Sequence, residues 1–126
     1  MDRQAGFDES EIRQAEHRLQ AALGAADRTA WVFHYTSDAV LDGGGEHPVV
    51  GRDSLLAMAT SMCPLTDVSI RPLRTEGCDG LAAVWTEASW MSGAAEGDPM
   101  NIQVRGMILW RLEADGVWRV AMEHIS

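Results

Sequence analysis

One histidine near the end of this sequence lies where an apolar residue is expected. His124 continues the alternation of Trp118, Val120 and Met122 along a predicted strand. An imidazole on an apolar face could act as a general base, so His124 is the first catalytic candidate. The alternative is a core histidine that forms a hydrogen bond with a carboxylate such as Glu87.

Two further side chains could assist such a base. Tyr35 follows Trp31 by about one helical turn, and its phenol could donate a hydrogen bond to a carbonyl or a developing oxyanion. It could equally pack its ring and keep its hydroxyl in water. Asp42 precedes three glycines, Gly43 to Gly45, and could serve as a base if this loop brings it inward; otherwise it is a turn aspartate.

Glu87 lies in the middle of a predicted strand, and either face of this strand could be the buried one. Trp85 and Ser89 share its phase, while Val84 and Thr86 belong to the opposite phase. If Glu87 faces inward, it needs a partner such as Tyr35 or His124. If it faces outward, it is a solvent or interface charge.

Large apolar side chains supply candidate ligand contacts beside these polar groups. Five tryptophans and seven methionines favour an adaptable apolar cavity, although core packing could also account for most of them. With Glu87, the candidate ligand-binding residues are Trp31, Trp85, Trp110, Trp118 and Met122.

The last part of the chain must position most of these residues. From Met100 onward apolar residues recur with period two, and Asp115-Gly116 interrupts the pattern, which predicts two long strands joined by a tight turn. Further strands are predicted over residues 68–71 and 81–91. In this pattern Val104, Gly106, Ile108 and Trp110 share one face.

The first half of the chain is predicted to be mainly helical. Asp8 can cap a helix with an apolar stripe from Ile12 to Leu23, and Asp27 can cap a second helix that runs through Trp31 to Tyr35. A short extended segment over residues 39–42 and a third helix over residues 54–62 follow. Helices at the front and strands at the back predict one α+β domain over residues 1–126.

Charge and composition exclude several classes of partner. The net charge of −9, from 19 acidic and 10 basic residues, disfavours nucleic acid and anionic lipid. No apolar run is long enough to span a membrane, and the polar N-terminus predicts a cytoplasmic protein.

Metal and cofactor sites are not expected. His34, Glu46 and His47 could join His124 around a metal, but they lack the spacing of a ligand set. Cys63 and Cys78 are lone thiols, predicted to act as small apolar residues. The glycine triplet lacks the Lys-Ser/Thr pair of a phosphate loop. We therefore expect no metal and no cofactor.

The chain resembles the SnoaL-like branch of the nuclear-transport-factor-2-like superfamily over nearly its whole length. The resemblance depends on Ser37-Asp38-Ala39-Val40, on Gly51-Arg52-Asp53 and above all on the terminal Trp-Arg-Val-x-x-Glu-His-x-Ser motif over residues 118–126. It implies a cone in which a curved, mostly antiparallel sheet wraps around three helices. It also implies a hydrophobic small-molecule ligand between the helices and the concave face, and a homodimer through the outer face.

Ketosteroid isomerase shares this fold, but its functional groups are absent here. In a gap-free alignment its oxyanion tyrosine falls on Leu19, its general-base aspartate on Gly43 and its protonated aspartate on Ile108. Isomerisation by that mechanism is therefore not expected.

Two hypotheses follow for the function. In the first, His124, assisted by Tyr35 and Asp42, performs acid–base chemistry of the isomerase, cyclase or hydrolase type on a polyketide-like or aromatic metabolite. In the second, the domain is a non-catalytic ligand-binding or accessory module. An epoxide-hydrolase relationship is disfavoured, because Arg105 has no acid two residues away.

Overall fold

The computed structural model describes residues 7–25, 27–43, 45–61, 65–92, 98 and 100–126. Within them, α1 (Glu9–Gly24) and α2 (Arg28–Val32) precede β1 (Tyr35–Asp42), β2 (Val49–Val50) and α3 (Arg52–Ser61). The chain then forms β3 (Leu65–Cys78), β4 (Leu81–Ser92), β5 (Met100–Leu112) and β6 (Trp118–Ile125). The predicted α+β class and order of elements are confirmed, with β2 as an addition.

The strands form one curved sheet in the order β2-β1-β6-β5-β4-β3. Every neighbouring pair is antiparallel except β1 and β6, which are parallel. The helices cover the concave face, so the sheet wraps around them as a cone.

The first two helices begin where the sequence predicts. The Asp8 carboxylate accepts a hydrogen bond from the Ser10 backbone N–H at 3.0 Å, and Asp27 accepts one from Ala30 at 3.1 Å. Ile12 and Leu19 are buried, as the predicted stripe requires, and they attach α1 to the sheet.

The second helix is shorter than predicted, and Tyr35 opens β1 instead of ending α2. The backbone after Phe33 pairs with β6, where the Val120 N–H donates to the His34 carbonyl oxygen at 2.8 Å. Strand pairing therefore outweighs the helical spacing of Trp31 and Tyr35.

A bulge in β6 changes which side chains face the cone. Trp110 pairs with Val120, but the preceding β5 residue, Leu109, pairs with Met122, so Ala121 is an extra residue. Side-chain alternation is thus shifted by one position beyond Ala121.

Some sequence-based expectations concern residues beyond those described. Cys63, Gly44 and the predicted end of the third helix at Met62 lie outside the described residues. Cys78, predicted to act as a small apolar residue beside a strand turn, lies at the end of β3 and is exposed.

Candidate functional site

An apolar cavity of about 290 Å³ lies between the helices and the concave face of the sheet. Most of its wall is aliphatic or aromatic, contributed by Leu19, Leu23, Leu41, Met58, Leu65, Val68, Ile70, Ala88, Trp90, Val104, Ile108 and Ile125. A hollow of this type can hold a small hydrophobic molecule.

Tyr35 and Glu123 form the polar end of this cavity. Tyr35 as a residue is only 1% exposed, and its hydroxyl donates a hydrogen bond of 2.5 Å to Glu123 Oε1. β1 positions the phenol and β6 positions the carboxyl group, because Tyr35 pairs with Val120 just before the bulge shifts the alternation.

Burial gives both groups of this pair unusual proton affinities. Desolvation raises the pKa of the Glu123 carboxyl, and the Tyr35 hydrogen bond offsets only part of this effect. Desolvation and the nearby Glu123 carboxylate raise the pKa of Tyr35 well above its ordinary value. Tyr35 therefore remains a donor, and Glu123 is a stronger base than an ordinary glutamate.

Trp31, Thr86 and Trp90 are the other cavity-lining residues with a polar side-chain group. The Trp31 ring packs edge-on against Tyr35, with centroids 5.2 Å apart. The Trp31 indole N–H lies near the Tyr35 hydroxyl and lowers the pKa of Tyr35, which offsets a small part of the rise caused by burial and by Glu123. No hydrogen bond of normal geometry joins the two groups. The Thr86 hydroxyl donates to the Gly106 carbonyl oxygen at 3.3 Å.

Of the residues predicted to form the site, Tyr35 and Trp31 line the cavity. His124 does not, and the expectation that its ring borders the apolar cavity is wrong. Its side chain is 58% exposed on the outer side of the sheet, where Nδ1 lies 3.2 Å from Asp42 Oδ2. Asp42 pairs with His124 outside the cavity and does not line it, so the expectation that the glycine loop turns Asp42 inward as a base is wrong.

Three further candidates also face outward. Trp85 is 46% exposed and Met122 is 52% exposed. Glu87 makes ion pairs with Arg71 at 2.5 Å and Arg105 at 3.6 Å. The Arg71 hydrogen bond lowers the pKa of Glu87, so this carboxylate is a surface charge.

Two predicted ligand-binding tryptophans belong to the core instead. Trp110 is completely buried and is not part of the cavity wall. Trp118 is also buried, and its indole N–H donates to Glu11 Oε1 at 2.8 Å, which fixes α1 to β6.

Sequence reasoning missed Glu123, the carboxylate of the site. Alternation with the apolar Trp118, Val120 and Met122 assigns it to the solvated face, an argument that holds only for a strand without a bulge. One signal points the other way: Ile125 shares the phase of Glu123, and it also lines the cavity.

The gap-free alignment with ketosteroid isomerase selects real cavity positions. Leu19, Gly43 and Ile108 all line the cavity. None of these three positions has a titratable side chain, and Tyr35 and Glu123 approach the cavity from other positions.

The described residues contain no group of three or more potential metal-ligating side chains. Among these residues, no helix is both long enough and apolar enough to cross a bilayer.

The fold and its cavity define a cone-shaped α+β small-molecule-binding domain. The chain belongs to the SnoaL-like domain family, whose model matches residues 17–121. The comparison with curated proteins gives no match.

Solved structures share this fold over almost the whole chain. A ketosteroid isomerase-like protein from Erwinia carotovora atroseptica SCRI1043 is 25% identical, with a TM-score of 0.82 over 95% of this chain and 97% of that one. An NTF2-like protein from Cytophaga hutchinsonii ATCC 33406 is 16% identical, with a TM-score of 0.81 over 95% and 98%. A protein from Catenulispora acidiphila, solved in complex with S-DNPA, is 16% identical, with a TM-score of 0.77 over 93% and 90%.

Proposed function

We propose that this domain binds a hydrophobic small molecule, such as an aromatic or polyketide-like metabolite, and transfers a proton on it. Glu123 is the general base and acid, and Tyr35 positions it. The observation that carries this proposal is the 2.5 Å hydrogen bond between the Tyr35 hydroxyl and Glu123 Oε1 at the polar end of an apolar cavity.

The geometry suits removal of a proton from a carbon next to a carbonyl group. The Tyr35 hydroxyl donates its hydrogen bond to Oε1 of Glu123. The other carboxyl oxygen, Oε2, takes no hydrogen bond from the described residues and can reach a ligand in the cavity. When Oε2 takes the proton, the C–H bond breaks and its electron pair moves toward the carbonyl oxygen, which gives an enolate. Glu123 can then return the proton to another carbon, as in isomerisation, or the enolate can attack an electrophile, as in cyclisation.

Two adjacent residues provide a direct test. Enzyme-dependent exchange of α-hydrogens for deuterium in a panel of aryl ketones can be followed by proton NMR. In Glu123→Gln the exchange should fall by about 10²-fold or more, because a base is removed without a change in volume. His124→Gln is the matched control on the opposite face and should retain wild-type exchange. Unchanged exchange in Glu123→Gln would refute the role of the base.

A non-catalytic ligand-binding module is the second candidate. It is favoured by the replacement of the three isomerase groups at Leu19, Gly43 and Ile108, all of which line the cavity. In that case the wild-type protein should bind members of the ketone panel without exchange, and Glu123→Gln should bind them comparably.

We also propose a homodimer through the outer face of the sheet. Trp85 and Met107 are paired across β4 and β5, and with Met122 they form an exposed apolar patch, which we call the outer patch. Exposed apolar side chains grouped on one face are typical of protein interfaces.

A further inference from the structure

Glu123 presents one carboxyl oxygen to the cavity without a partner. Its Oε1 accepts the hydrogen bond of the Tyr35 hydroxyl, whereas its Oε2 takes no hydrogen bond from the described residues. Glu123 lines the cavity and is only partly buried, and its Oε2 is not among the buried polar atoms that lack a partner. This oxygen is therefore accessible, unlike Oε2 of Glu16, which is buried and lies outside the cavity wall.

No positively charged side chain of the described cavity wall balances the Glu123 carboxylate. None of the described cavity-lining residues is Arg, Lys or His. The pKa of Glu123 reflects burial and the Tyr35 hydrogen bond, and no charge of the described residues contributes to it. An ionised carboxyl group that is desolvated without a counter-charge is unfavourable. A ligand with one positive charge can supply this counter-charge, which a neutral or anionic ligand cannot do.

The rest of the wall favours an ammonium group that carries alkyl substituents. The aromatic residues Trp31, Tyr35 and Trp90 line the cavity together with aliphatic side chains. Aromatic rings are favourable neighbours of alkylammonium groups. A primary ammonium has three N–H donors, each of which needs an acceptor in a wall that is mostly apolar. A tertiary ammonium has one N–H, which Oε2 of Glu123 can satisfy.

We propose that the cavity binds hydrophobic tertiary amines in their protonated form, and that the ammonium N–H donates a hydrogen bond to Glu123 Oε2. The inference rests on the proposed function only in placing a ligand beside Glu123 in this cavity. Glu123 acts here as the counter-charge of the ligand and not as a base. A bound amine occupies the oxygen that would take a proton from a ketone, so the two kinds of ligand exclude each other.

The experiment compares two probes of nearly equal shape. N,N-dimethylbenzylamine is a cation near neutral pH, and in isobutylbenzene a C–H group replaces the charged N–H group. Calorimetry gives the ratio of their affinities for each variant, and the ratio cancels changes in cavity volume. Glu123→Gln should lower the preference for the amine by about tenfold or more, as expected for one hydrogen bond between charged groups.

Glu87→Gln is the matched control, because it removes the same charge from the outer face, where Glu87 is paired with Arg71 and Arg105. It should leave the ratio unchanged. The control separates a contact in the cavity from the general attraction of a protein with a net charge of −9 for cations. An unchanged ratio in Glu123→Gln, an equal loss in both variants, or no binding of the amine to the wild-type protein overturns the inference.

A second measurement does not depend on the folding of any variant. Because a proton and the ammonium group compete for Glu123, saturating dimethylbenzylamine should lower the pKa of the Glu123 carboxyl group in the wild-type protein, followed by ¹³C NMR. Isobutylbenzene should not lower it. Tyr35 is the other titratable residue of the described wall, and its pKa is raised well above the ordinary value, so it does not titrate in the same pH range.

An unchanged pKa of Glu123 with saturating amine contradicts the ion pair. Neither the affinity ratio nor this titration uses exchange activity. The proton-transfer proposal can therefore fail while this inference holds, and the reverse.

Discussion

At the scale of single residues, burial decides what each carboxyl group can do. Glu123 and His124 are neighbours in sequence, but Glu123 faces the cavity and His124 is exposed on the outer side. Glu16, on the buried face of α1, is also buried; it is paired with Arg13, and one of its oxygens has no partner among the described residues. Glu16 is not part of the cavity wall, so we assign it a structural role.

Glu16 and Glu87 should contribute to the pH dependence of stability with opposite signs. Desolvation raises the pKa of Glu16, so its contribution to stability is largest below pH 4.5 and is lost as pH rises through the folded-state pKa. The Arg71 hydrogen bond lowers the pKa of Glu87, so its contribution is present above pH 4.5 and is lost as pH falls through the folded-state pKa.

Urea unfolding of two glutamine variants between pH 3 and pH 7 tests these signs. Relative to wild type, Glu16→Gln should gain stability as pH rises, whereas Glu87→Gln should lose it. If both variants change in the same direction with pH, the assignment of one of these environments is wrong.

At the scale of elements, the sequence predicts well which segments form helices and which form strands. It does not predict the bulge or the residue at which β1 begins. The caps at Asp8 and Asp27 and the turn at Asp115-Gly116 are local signals, and the elements beside them form as predicted. The bulge at Ala121 and the start of β1 at Tyr35 depend on pairing between distant strands. Because the bulge shifts the alternation, Glu123 faces the cavity although its place in the sequence predicts the solvated face. Tyr35 could therefore be proposed from the sequence, but its partner Glu123 could not.

Gly106 is required for the close pairing of β5 and β6. A Cβ at this position would lie 2.5 Å from the His124 backbone oxygen, and a strand backbone cannot move aside as a flexible side chain can. Gly106→Ala should therefore lower the free energy of unfolding by about 1–3 kcal/mol in chemical denaturation.

Gly24, the last residue of α1, serves as the control, because a Cβ added there would meet no described neighbour within 4 Å. Gly24→Ala should be neutral or stabilising by up to about 1 kcal/mol. Equal losses in both variants would show that the close approach at Gly106 is unimportant.

At the scale of the whole molecule, the two faces of the sheet have different roles. The concave face carries the cavity, and the outer face carries the outer patch together with the ion pairs of Glu87. If the proposed dimer forms through the outer patch, its interface and the cavity lie on opposite faces of the sheet.

The proposed dimer predicts the effect of one charge on the outer patch. Trp85→Glu should shift the protein toward monomer in sedimentation velocity, because a carboxylate would be buried without a partner in the interface. Val50→Glu adds the same charge at the opposite edge of the sheet, where Val50 is 55% exposed, and should not change the distribution. A wild-type monomer at all concentrations would contradict the dimer.

The most direct test of the account is the titration of the Glu123 carboxyl carbon, followed by ¹³C NMR. Because desolvation outweighs the Tyr35 hydrogen bond, the pKa of Glu123 should exceed the ordinary value of 4.5, and Tyr35→Phe should raise it further by removing that hydrogen bond. A pKa at or below 4.5 in the wild-type protein, or no rise in Tyr35→Phe, would contradict a desolvated base held by Tyr35 in the cavity.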